Sequence, residues 1–157
     1  MDIRVRPTGI LIEDNRILIV KQYVTDNRSW SLPGGKLESH ENIQQCLIRE
    51  MKEETGLDIA IEELAYITDR IITSSIHIVH MSFLVKRTSP PTGLLEWKHE
   101  DVESSSSHGK IREIKMVPVE DLTRYGYSPT FQQLVMAGFP GRGSYKGDYG
   151  TFYGESA

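Results

Sequence analysis

Between Gly34 and Leu57 the chain reads GGKLESHENIQQCLIREMKEETGL. The stretch opens with two glycines after Pro33, places Glu41 early, and then crowds Glu50, Glu53 and Glu54 together. On an α-helix, residues three and four apart are neighbours, so these three carboxylates project into one patch. Like charges at that spacing cost about 0.2–0.5 kcal/mol per pair. A hard divalent cation converts the repulsion into ligation. Mg²⁺ takes oxygen ligands while keeping waters and substrate phosphates, and Mn²⁺ suits the same oxygen donors. The patch lacks the Cys/His softness of structural zinc. The plain alternative is a solvated acidic helix, and the glutamates alone do not exclude it.

The spacing predicts a helix from about Ser39 or His40 to Thr55, with Ser39 as N-cap, Glu41 in the first turn and Gly56 just past the end. Leu47, Ile48 and Met51 fall on one side and are expected to face the core. Gly34 and Gly35 allow close backbone approach, so a loop carbonyl there can reach a metal. The helix N-terminus that follows favours anions. Arg49 lies beside the acids and can pair with Glu41 or Glu53.

Outward from this stretch, Thr8–Gln22 reads as a hairpin. Ile10-Leu11-Ile12 and Ile17–Val20 flank the turn-rich Glu13-Asp14-Asn15-Arg16, and such continuous apolar runs suggest strands buried on both faces. Strands are expected near Leu57–Thr68, His77–Lys86 and Ile111–Val117. A short helix is expected from Pro118 to Leu122, and a longer one begins at Ser128-Pro129 and runs through Met136. Lys86 to Lys110 reads as a long loop, with a short strand at Leu94–Trp97; loops of this length are usually functional or mobile. The segment after Ala137 carries six of the thirteen glycines, interleaved with Tyr145, Tyr149, Phe152 and Tyr153. It reads either as a free tail or as a segment held against a cleft or a second subunit. The expected organisation is one domain over residues 1–137 and a Gly/Tyr-rich C-terminal tail over 138–157.

The bulk numbers narrow the partners. The 157 residues suffice for one domain with a core. The net charge of -4 disfavours broad nucleic-acid binding. The single cysteine, Cys46, excludes an internal disulfide and reads as a small buried hydrophobe. No apolar run approaches a membrane span, and Met1–Pro7 lacks the apolar core of a secretory leader. A cytoplasmic protein is the expectation. His77 and His80, three apart on a strand, lie on opposite faces and read as ordinary strand histidines. Tyr23, Trp30 and Trp97 lie in or near loops, where packing is favoured over stacking on a base.

As a pattern, the stretch reads Gly35, five residues, Glu41, seven residues, Arg49-Glu50-Met51, one residue, Glu53-Glu54, one residue, Gly56-Leu57. Every fixed position is similar to the signature box of the Nudix hydrolases (MutT-like). The order around it, from about Thr8 to Ala137, resembles the family as well. The resemblance implies an α/β/α sandwich with a mixed β-sheet. It also implies a metal-dependent pyrophosphohydrolase that cleaves a nucleoside diphosphate linked to X into a nucleoside monophosphate and phosphorylated X. By the resemblance, Glu53 and Glu54 are the principal metal ligands and Glu50 is a third ligand or the general base. Gly34 offers its backbone carbonyl to the metal, Arg49 orients the glutamates, and Glu41 is structural or an outer ligand. Family members draw a further carboxylate from outside the box; Glu100, Asp101 and Glu103 are candidates here, with Glu96 and Glu113 behind them. The implied cofactor is Mg²⁺ or Mn²⁺, and a homodimer is expected. The metal lowers the pKa of a bound water and a carboxylate accepts its proton. A nucleoside triphosphate or nucleotide sugar is the favoured substrate, because extra signals of ADP-ribose, NADH and coenzyme A hydrolases are absent. The alternatives are removal of pyrophosphate from RNA 5′ ends, which the acidic charge opposes, and a non-catalytic nucleotide-sensing module, which the intact box opposes.

Overall fold

The computed structural model describes residues 1–22, 30–90, 93, 95–98 and 111–154. Continuous apolar runs in β1 (Asp2–Glu13) and β2 (Arg16–Gln22) place side chains alternately on two sides of one sheet. Ile17 and Ile19 enter one core while Leu18 and Val20 enter another, and all four are fully buried. The hairpin turn uses Asp14 and Asn15 at positive φ, a conformation these residues tolerate.

The remaining elements are β3 (Trp30–Ser31), α1 (Ile43–Thr55), β4 (Asp58–Thr73), β5 (Ile76–Ser89), β6 (Glu96–Lys98) and β7 (Ile111–Pro118), then a 3₁₀ helix (Val119–Tyr125), α2 (Pro129–Met136), β8 (Ser144–Asp148) and α3 (Tyr149–Tyr153). The strands form one mixed sheet in the order β6-β7-β2-β1-β5-β4-β8, with β3 beside β2. β1 pairs in parallel with β5 and antiparallel with β2, so it joins the two halves.

Two cores sandwich the sheet. On one face Leu47 and Met51 of α1 pack on Leu11, Leu18, Val85 and Met116. On the other, Phe131 of α2 and Phe152 and Tyr153 of α3 pack on Ile10, Tyr66 and Val117. This is the expected α/β/α sandwich.

Several expectations need correction. β1 starts at Asp2 rather than Thr8, because its first residues gain a partner in β5. α1 starts at Ile43, not Ser39. His40 takes a left-handed φ of 66°, incompatible with a helix, and Asn42 supplies the cap: its side chain accepts from the Gln45 N–H while the Gln45 side chain accepts from the Asn42 N–H. Glu41 therefore lies outside the helix. Ile48 is 36% exposed, on the outer side of α1, and only Leu47 and Met51 face the core.

The glycine-rich stretch after Ala137 packs on the domain through residue 154. β8 pairs in parallel with β4, and Phe152 and Tyr153 join the aromatic core around Tyr66.

Candidate active site

Three elements build the site. The Pro33–Leu37 loop is stitched to the free edge of β1, with Gly9 N–H donating to Pro33 C=O (2.9 Å), Gly35 N–H to Pro7 C=O (3.2 Å) and Leu37 N–H to Val5 C=O (2.8 Å). Gly34 sits at φ 151°, and a Cβ there would overlap the Pro7 carbonyl oxygen and lie 2.7 Å from Thr8 Cα. A Cβ on Gly35 would overlap the Glu50 carboxyl group. The loop and α1 thus approach each other at a distance only glycine permits.

α1 supplies the charges. The guanidinium of Arg49 donates to Glu41 (2.7 and 2.9 Å), Glu50 (2.8 Å) and Glu53 (3.2 Å), with Glu38 at 3.9 Å. Nη1 alone bridges Glu50 and Glu53. Hydrogen bonding to Arg49 draws the Glu41 carboxyl down to about 2, assisted by the Glu38 N–H. The hydrogen bonds of Arg49 to Glu41, and then to Glu50, push its own pKa up.

Glu54 points the other way. It is 9% exposed and accepts from the Gly34 N–H at 3.2 Å. Burial, then the negative charge of Glu50, raise its pKa well above the usual carboxylate range. Four carboxylates (Glu38, Glu41, Glu50, Glu53) thus gather around one guanidinium, and Glu54 lies apart from it against the Gly34 N–H. An acid buried beside a second acid calls for a cation.

The structure places Gly34 and the box residues Arg49, Glu50, Glu53 and Glu54 in one contact network, with Glu41 bound to its outer side. It does not bring the three helix glutamates onto one point. Among the described residues no three His, Cys, Asp or Glu side chains form a ready metal cluster: Arg49 holds Glu50 and Glu53, while Glu54 faces the loop. The donor set still fits the ion, since it is all-oxygen, excess in negative charge and partly desolvated. Glu50, Glu53 and Glu54 are the residues that would hold a divalent metal, whose chemistry is to neutralise phosphate charge and acidify a water. Arg49 fixes the carboxylates, and a free oxygen of Glu50 or Glu53 can accept a proton.

Glu100, Asp101, Glu103 and Tyr23 lie outside the described residues, as does the side chain of Trp97. Among the described residues, no hydrogen bond or ion pair links Glu96 or Glu113 to the Arg49 network. Trp30 packs edge-on against Tyr125 at 5.7 Å under Lys21, as expected of a packing residue. His77 pairs with Asp69 (2.7 Å) on one face and His80 stacks on Tyr149 (4.5 Å) on the other. Cys46 is buried, and desolvation pushes its thiol up to about 12. Sequence reasoning missed Glu38; its place three residues before Glu41 was the available signal.

Comparisons with known proteins place the chain in a family. The NUDIX domain matches residues 3–136. A MutT-like protein of Streptomyces ambofaciens is 32% identical over 117 residues, 72% of this chain and 74% of its own. An 8-oxo-dGTP diphosphatase of Proteus vulgaris is 35% identical over 83 residues, 50% of this chain and 61% of its own, so the match spans less than two thirds of that enzyme. The solved Nudix hydrolase from Nitrosomonas europaea superposes with a TM-score of 0.67 at 18% identity, over 94% of this chain and 81% of its own.

The family match defines a hydrolase of pyrophosphate bonds. The chain belongs to the Nudix family and is a pyrophosphohydrolase of nucleotide-type substrates. Hydrolases of this family generally use a divalent metal such as Mg²⁺. Among the described residues no helix is long and apolar enough to cross a membrane.

Proposed function

We propose that the protein hydrolyses nucleoside diphosphates linked to X, nucleoside triphosphates and nucleotide sugars being the favoured classes, with Mg²⁺ or Mn²⁺ held by Glu50, Glu53 and Glu54. The observation that carries this reading is the buried Glu54 carboxylate, set between the Gly34 N–H and the charge of Glu50. A phosphate anhydride is multiply anionic and repels a nucleophile, so positioning and charge neutralisation dominate its cleavage. The similarity to the Proteus vulgaris 8-oxo-dGTP diphosphatase supports a nucleoside triphosphate as first choice. In this reading Arg49 keeps the carboxylates oriented, and Glu50 or Glu53 takes the proton of the attacking water.

The test is a panel with Mg²⁺ or Mn²⁺: nucleoside triphosphates, nucleotide sugars, ADP-ribose, dinucleoside polyphosphates and triphosphorylated RNA, followed by release of phosphate and pyrophosphate. The highest kcat/KM is expected for a nucleoside triphosphate, yielding the monophosphate and pyrophosphate. A dominant rate on ADP-ribose or on RNA 5′ ends overturns the substrate assignment.

A further inference from the structure

The parallel register of β1 and β5 sets Arg6 beside His80 and Thr8 beside Ser82. β4 continues both rows, with Thr68 beside His80 and Tyr66 beside Ser82. Paired residues of adjacent strands share a face. The Thr8 row is closed: Thr8 and Ser82 hydroxyls meet at 2.6 Å, and Tyr66 and Tyr153 hydroxyls at 2.6 Å.

The next row is not closed. Thr68 is fully buried and its hydroxyl has no hydrogen-bond partner among the described residues. The imidazole of His80 stacks on the ring of Tyr149 at 4.5 Å and 9°. Burial, and then the charge of Arg6, lower the pKa of His80 to about 4, so its ring is neutral at neutral pH.

Arg6 itself is half-buried. Among the described residues it makes no ion pair or hydrogen bond to an acidic side chain, although the chain has 22 acids against 18 Lys and Arg. Two residues along β1, Thr8 bridges Gly34, whose N–H holds Glu54. Among the described residues, a guanidinium with no direct ion pair, whose charge acts on Glu54, and an orphaned hydroxyl therefore share one row, next to the carboxylate site. Partial burial of a cation without a direct hydrogen-bonded partner is costly. A phosphate supplies the missing charge and matches the guanidinium fork.

We propose that Arg6, walled by the His80–Tyr149 stack, is a subsite for the phosphate of the substrate neighbouring the one attacked at Glu50–Glu54. The inference rests on the hydrolase reading above. Its wall comes from Tyr149, beyond the residues 3–136 matched by the family, so the C-terminal segment contributes to substrate binding in this chain.

The experiment compares wild type, Arg6→Gln, Arg6→Lys and Tyr149→Ala. Steady-state kinetics on the best nucleoside triphosphate run alongside calorimetric binding of the same nucleotide with Ca²⁺ replacing Mg²⁺. Arg6→Gln is expected to raise KM and weaken binding about 10- to 100-fold, as for loss of one charge-assisted hydrogen bond, with kcat changed far less. Arg6→Lys recovers part of the loss and Tyr149→Ala raises KM, with melting temperatures near wild type for the two Arg6 variants. Unchanged KM and binding in Arg6→Gln, or a loss confined to kcat, overturns the subsite; unchanged KM in Tyr149→Ala overturns the wall. A wild type that binds nucleotide without turning it over, and loses that binding in Arg6→Gln, supports the subsite while overturning the hydrolase reading. Absence of binding in wild type overturns both.

Discussion

Glu53→Gln is expected to leave the protein folded and to remove most of its turnover. The Glu53 side chain is 51% exposed, and its ion pair is with Arg49 at 3.2 Å. Gln has nearly the same shape and keeps an oxygen for that guanidinium, and exposed pairs contribute about 0–1 kcal/mol. Little stability should therefore be lost. What goes is a negative charge at the ion site. Removing a metal ligand or a proton acceptor costs about 10²–10⁴-fold in rate, or roughly 3–5 kcal/mol in barrier at 1.36 kcal/mol per tenfold. The measurement is kcat/KM at saturating Mg²⁺ together with a thermal melt. Wild-type kcat/KM in Glu53→Gln would remove Glu53 from the chemistry.

Gly34→Ala is expected to destabilise the fold and abolish activity together. The new Cβ meets backbone, the Pro7 carbonyl oxygen and Thr8 Cα, rather than a flexible side chain that could turn away. The φ of 151° is itself strained for any residue but glycine. Relief requires the loop to leave β1, breaking the Gly9–Pro33 and Gly35–Pro7 hydrogen bonds and the Gly34 N–H contact to Glu54. Overpacking and backbone strain of this kind cost about 3 kcal/mol, which for a chain of this size lowers Tm by roughly 6–12 °C. A melt within about 2 °C of wild type, a shift of under 1 kcal/mol by the same scaling, would show that the loop accommodates a side chain, against the geometry described.

The sequence was most legible where one physical demand dominates. The runs Ile10–Ile12 and Ile17–Val20 announced strands buried on two faces, and each side chain does enter one of the two cores. The Gly35–Leu57 spacing placed Arg49 beside Glu50 and Glu53 because helical periodicity alone brings them there. Legibility failed where tertiary partners decide. Ser39 is as good a cap as Asn42 on paper; the left-handed His40 and the reciprocal Asn42–Gln45 bonds settle the choice. Asp2–Pro7 carried alternating residues but no local strand boundary, and only β5 makes it a strand. Arg6 was hidden for that reason. Tyr153 looked like part of a tail until Tyr66 and Ser82, far away in sequence, supplied its hydroxyl partners. The separate aim of Glu54, towards Gly34 rather than Arg49, depends on a loop contact that helical spacing cannot show.

The central claim is that the acidic network around Arg49 hydrolyses phosphate anhydrides through a divalent cation. The most direct measurement is turnover of the best panel substrate by metal-stripped protein, before and after Mg²⁺ is restored, in wild type and Glu53→Gln. The account predicts no turnover in EDTA, full recovery on Mg²⁺ addition in wild type, and little recovery in the variant. Undiminished hydrolysis in EDTA would contradict it.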